Sequence, residues 1–157
     1  GTLDDVAFRS IDVISGPDPV ADLLAAVAEG LPKLHPPELD RYGLSSRDKI
    51  SSRSGHPLRM LADRVASVFG VVEFDLYLHR AHAGSLEVEL GDPPAILVPA
   101  QATTYSETQQ VFLLARPLAN IARPLHAVNK LAPVEIEASC ATGRYVESHL
   151  WMRYRIA

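Results

Sequence analysis

The stretch Ser106–Val128, reading SETQQVFLLARPLANIARPLHAV, constrains the fold more than any other part of this chain. Ser106 followed three residues later by Gln109 is a capping box, which satisfies otherwise unpaired N–H groups at a helix start. Tyr105 is placed to staple onto the first turn. Val111, Leu114, Leu118 and Ile121, joined by Phe112 and Leu125, recur at helical spacing and supply a broad apolar face. Pro117 and Pro124 interrupt the same run, seven residues apart and so nearly on one face. Each deletes an i→i−4 hydrogen bond, at about 3 kcal/mol in an undistorted helix interior. The expectation is one kinked helix or two short ones.

The preceding residues alternate between the two periods. Pro57 opens a helix over 58–69, where its fixed φ and missing N–H cost least. Leu58, Leu61, Val65 and Val68, with Ala62 and Phe69, form the apolar stripe, and Gly70 is the stop. Val72–Ala81 then alternates as a strand, with Phe74, Leu76 and Leu78 on one side and Asp75, Tyr77 and His79 on the other. Ser85–Leu90 alternates again, and the two read as a hairpin turning at His82–Gly84. Ala95–Pro99, AILVP, is wholly apolar and reads as a strand buried on both faces.

The chain before Pro57 differs in character. Asp4–Ile14 is a short strand or an irregular lead-in, and Val20–Glu29 reads as a helix that Gly30 closes and Pro32 keeps from restarting. From Leu31 to Pro57, prolines, glycines and serines define an arm with one helical turn near Glu38–Tyr42. Leu34, Leu39, Tyr42, Leu44 and Ile50 make it too apolar for a free linker, so it is expected to lie on the domain. Residues 1–56 are thus a helix and a proline-rich arm, and 57–157 an α+β domain. Within the latter, Pro133–Tyr154 begins as a helix at Val134–Cys140 and is ambiguous after Gly143, with Trp151 and Tyr145 as anchors without a clear register.

Composition excludes several functions. With 157 residues, 47% hydrophobic and 22% charged, the chain has ordinary globular proportions. A net charge of −4 and a pI of about 5.8 provide no field for a phosphate backbone, and Arg153 with Arg155 are too few to change that. No nucleic-acid partner is expected. No apolar run approaches a membrane-spanning length, and GTLDDVAFRS lacks the features of a signal peptide. The chain opens on Gly1 without a methionine and reads as a piece of a longer protein. The single cysteine, Cys140, cannot close an internal disulfide, which points to a reducing, cytoplasmic setting.

The order helix (58–69), three strands (72–81, 85–90, 95–99), helix (106–128) resembles the core of zincin-like metallopeptidases of the M48 type. LADRVASVFGVVEFDLYL matches their helix-to-strand entry, PPAILVP their following strand, and YSETQQVFLLA the entry to the active-site helix. The resemblance covers about residues 57–128. It implies a small three-stranded sheet flanked by helices, with a strand edge that binds extended substrate. It also implies a bacterial protein carrying tetratricopeptide-type repeats elsewhere. The five positions of the family's HExxH motif fall on Arg116, Pro117, Leu118, Ala119 and Asn120. Arginine is a permanent cation and cannot hold zinc; proline has no base to activate water; a lone asparagine is a poor zinc ligand. No catalytic residue, metal or cofactor therefore carries over.

The remaining candidates are few. Arg116, Asn120 and Arg123 follow helical spacing and form either a patch for a carboxylate or peptide end, or the solvated side of a helix. Glu87 and Glu89 point outward from the strand edge, either beside a captured peptide or as protection against edge-to-edge pairing. His79 and His82 read as exposed loop histidines, His149 lies far downstream, and a remodelled metal site drawing on His126, Glu135 or Glu137 has no spacing signature. Ser54–Gly55–His56 lacks the setting of a nucleophile elbow. The sequence thus reads as a non-catalytic interaction or scaffolding domain with a degenerate zincin-like core and a protein or peptide partner. The alternatives are a zinc peptidase with an atypical site and a purely structural domain.

Overall fold

A computed structural model describes residues 30–34, 36–81, 85–123 and 125. The expected segments 4–14, 20–29 and 133–154, together with His82, Pro124, His126, Glu135, Glu137, Cys140 and His149, lie outside the described residues. What is described is α+β: two longer helices and one small mixed sheet.

Helix α1, Leu31–Leu34, is a single turn. Pro32 does not prevent it, because in the first helical turn a proline lacks only an N–H that would be unpaired anyway. The arm that follows carries two 3-10 turns, Leu39–Tyr42 and Ser46–Asp48. Helix α2, Pro57–Phe69, starts as its sequence expects, with proline at N1 and the Nδ1 of His56 accepting from the Leu58 N–H. Gly70 ends it in the left-handed region at φ 73°, its N–H directed to the carbonyls of Ala66 and Ser67. That geometry excludes most side chains, which is why a glycine stands there. Val68, expected in the stripe, is exposed at this last turn.

The strands are β1 Asp75–His79, β2 Glu87–Glu89 and β3 Ala95–Pro99, in spatial order β1-β3-β2. β1 and β2 therefore do not form the expected hairpin. β3 lies between them, parallel to β1 from Asp75↔Ala95 to His79↔Pro99 and antiparallel to β2 from Glu87↔Leu97 to Glu89↔Ala95. The apolar AILVP run takes the central place because only there are both faces and both edges of a strand covered. The true hairpin is β2–β3, turning at Gly91, where a Cβ would stand 2.7 Å from the Pro93 carbonyl oxygen.

Helix α3, Glu107–Ala122, has the expected start: Ser106 Oγ accepts from the Gln109 N–H, and Gln109 Oε1 accepts from the Ser106 N–H. The apolar staple is replaced by a polar one, since the fourth helical residue is Gln110, whose amide donates to the carbonyls of Ala102 and Tyr105. Pro117 does not split the helix, which runs through it as one element. It ends at Ala122, and Arg123 leaves helical geometry at φ −114°, ψ 28°. The residue before a proline is disfavoured in the α region, so Pro124 explains the stop.

The two faces of the sheet are covered differently. On one, Leu76, Ile96 and Val98 pack with Leu58, Leu61, Ala62 and Val65 of α2 and Leu114 and Leu118 of α3. On the other, Tyr77, Ala95 and Leu97 are covered by Tyr42 and Leu44 from the arm. Val111 and Phe112 do not join the core; Phe112 is 84% exposed. Two residues before Leu114, it is turned about 200° away from the inward face.

Candidate functional site

Turning Phe112 outward creates the most distinctive surface feature of α3. Phe112, Arg116 and Asn120 succeed one another every fourth residue, and Arg123 follows just beyond the helix end. Residues so spaced are neighbours on one helix face. Arg116 is exposed, while Asn120 and Arg123 are half-buried. The helix thus places the three sequence candidates on one stripe and adds an aromatic that the sequence reading had assigned to the core. The signal for Phe112 was available in its angle to Leu114 and Leu118.

The glutamates do not join this stripe. Glu87 is half-buried and accepts from the Ser85 hydroxyl at 2.6 Å. Glu89 is not outward at all: it is 2% exposed, and its Oε2 accepts from the Glu38 N–H. Both side chains share the sheet face that the arm covers, which is what buries Glu89. Among the described residues, the side of β2 away from β3 makes no main-chain hydrogen bond. The outer side of β1 is partly occupied, since the Ile50 N–H donates to the Leu76 carbonyl and Lys49 pairs with Asp75 at 3.1 Å.

His79 is likewise buried, at 1% exposed, and not the surface histidine expected. Its Nε2 lies 2.9 Å from the Ser85 carbonyl oxygen. A carbonyl only accepts, so Nε2 carries a proton and donates it to Ser85. The Nδ1 of His79 is buried without a hydrogen-bond partner among the described residues, and the ring meets Tyr42 edge-on at 5.2 Å. Tyr77, on the same face, has its hydroxyl pKa raised by burial and by the charge of Asp75. These groups form a half-polar layer under the arm. Among the described residues, no three His, Cys, Asp or Glu side chains are grouped to hold a metal ion.

A separate cleft of about 710 Å³ opens between the arm at Lys49–Ser52, the outer side of α2 and the run Val71–Asp75. Its wall includes Arg59, which is 8% exposed. Arg59 donates from Nε to Asp63 and from Nη1 to the Phe74 carbonyl, and its guanidinium carbon lies 4.2 Å from the Phe74 ring centroid. Sequence reasoning passed over Arg59 because it falls between core positions of α2 and looks like an ordinary surface cation.

Among the described residues, no helix is long and apolar enough to cross a membrane. No family, curated protein or solved structure matches this chain.

Proposed function

We propose that this chain is a non-catalytic interaction domain, and that the exposed stripe of α3 holds an acidic protein or peptide partner bearing an apolar side chain. One observation carries the reading: Phe112, 84% exposed, stands one helical turn from the exposed Arg116. Aromatic residues and arginine are enriched at interfaces relative to the rest of a protein surface, and this helix face sets the two one turn apart. The partner is acidic because Arg116 is the exposed charged group of the stripe, and its guanidinium fork matches carboxylates.

The same reading takes the core as a degenerate zincin. Its supports are the helix–three strands–helix order, a mixed sheet with an antiparallel edge strand, and a capped helix entering where the family's metal motif belongs. At the three functional positions of that motif stand Arg116, Pro117 and Asn120, none able to carry its chemistry. A cytoplasmic setting belongs to the same proposal and rests on the lone Cys140.

Peptide-display selection on the purified chain tests this. Selected sequences should be acidic with an aromatic or aliphatic anchor, and Phe112→Ser with Arg116→Glu should weaken them by about 2 kcal/mol or more. Peptides that bind the double variant as well as the parent would refute the α3 site. Stoichiometric zinc together with peptidase activity would refute the non-catalytic reading.

A further inference from the structure

The cleft beside α2 supports an inference independent of α3. Its wall includes a cation held in place by two hydrogen bonds and an aromatic ring. Arg59 is nine-tenths buried, yet only two of its five N–H donors are used, by Asp63 and by the Phe74 carbonyl. Three donors remain without a partner among the described residues, on a side chain that forms part of the cleft wall. Among the described residues only His79 Nδ1 is a buried side-chain polar atom without a partner, so the unused guanidinium donors of Arg59 reach solvent and are accessible to a ligand. The stack on Phe74 and the clamp by Asp63 hold the planar fork in place, which removes most of the entropy cost of using it.

The charges around it narrow the ligand. Lys49 and Arg59 are each neutralised by an aspartate, Asp75 and Asp63 respectively. Glu73, exposed at the rim, has no partner among the described residues. With two cations and three acids, the lining repels a dianion such as phosphate. It suits a ligand that gives a carboxylate to Arg59 and a cationic group to Glu73. Because Arg59 is bonded to the carbonyl of Phe74, the neighbour of Glu73, those two groups need be only about two residues apart. Ile50, Val71 and Pro93 supply apolar wall between them. A cleft of 710 Å³ lies within the range of roughly 300–1,000 Å³ that accepts ligands of this bulk.

We infer that this cleft binds a short peptide segment carrying one acidic and one basic side chain in close sequence, the acid on Arg59 and the base on Glu73.

Amide chemical shifts of the full chain, titrated with end-blocked Lys-Ala-Asp, test the inference. The expected result is saturable shifts at Ser51, Ser52, Val72 and Glu73 at about millimolar peptide or below. End-blocked Asp-Ala-Asp, Lys-Ala-Lys and free lysine should bind about tenfold more weakly or not at all. Glu73→Lys, at the exposed rim, should weaken Lys-Ala-Asp about tenfold. Ser52→Trp, which fills the cleft from an exposed turn, should abolish the shifts while leaving the spectrum folded; Arg59→Gln should do the same where the variant folds. Phe112→Ser and Arg116→Glu should change nothing, which separates this site from the α3 stripe. An absence of cleft shifts at millimolar peptide, or equal shifts with all four probes, would overturn the assignment.

Discussion

The sheet's two faces were built by different means. Its helix-covered face is apolar throughout: Leu58, Ala62, Leu76, Ile96, Val98, Leu114 and Leu118 are all at most 2% exposed. Its arm-covered face mixes Tyr42, Leu44, Tyr77 and Leu97 with a buried His79 and a buried Glu89. The first face is held by area removed from water, which is non-directional and tolerant of small shifts. The second depends on particular partners for each polar atom, since an unmatched buried group costs about 1–3 kcal/mol. The comparison teaches that an irregular arm can complete a core when it carries a few aromatics and hydrogen-bond donors.

The strongest way to break this contrast is in the helix-covered face. Leu118→Ala removes a fully buried side chain and should cost about 2–5 kcal/mol, read as a lower midpoint in denaturant unfolding. A loss well below that would mean the helical face is loosely packed. Tyr42→Ala, on the arm, should cost about 2 kcal/mol and speed tryptic cleavage at Arg41 and Arg47 more than at sites in α2. Uniform acceleration along the chain would show that arm and helices unfold as one unit and would dissolve the distinction.

His79 offers a finer probe. His79→Leu deletes the unpartnered Nδ1 and keeps most of the apolar volume, while removing the donor to the Ser85 carbonyl. The two effects oppose, so the net change should stay within about 1 kcal/mol by thermal unfolding. A cost near 3 kcal/mol would mean that Nδ1 has a structural partner.

The smallest effect lies in the exposed part of the arm. The hydroxyl and N–H of Ser45 hold the carboxyl of Asp48 below the ordinary aspartate value of 3.8. A depressed folded pKa contributes stability above the unfolded value and loses it as pH falls through the folded one. The margin of the parent chain over Asp48→Asn should therefore be full above about pH 5 and shrink as the pH drops below that range. A margin that grows on acidification would contradict the capping role.

Much of the helix-covered face was legible in the residues. Pro57 and Gly70 marked the limits of α2, the Ser106–Gln109 box marked the start of α3, and the unbroken apolarity of Ala95–Pro99 marked a strand buried on both faces. Each is a local signal with a local cause: a fixed φ, a left-handed cap, a reciprocal hydrogen bond. At the candidate site, Arg116 and Asn120 were legible because helical spacing alone puts them together. Hydrophobicity alone places Phe112 in the core, whereas its angle on the helix, about 200° from Leu114, turns it to the surface.

What only the tertiary structure decided is who meets whom. Alternation in β1 and β2 gives the same two-residue period whichever strand lies beside them, so nothing local could place β3 between the two. Nor could alternation say that the polar side of β1 and β2 would be roofed by the arm, turning His79 and Glu89 from surface residues into buried ones. Arg59 became part of a cleft wall for the same reason: the Phe74 carbonyl and ring that fix it, and the arm residues opposite it, lie on other elements of the chain. Periodicity and caps are properties of a segment, whereas burial, charge pairing and clefts arise only when segments distant in sequence are brought together.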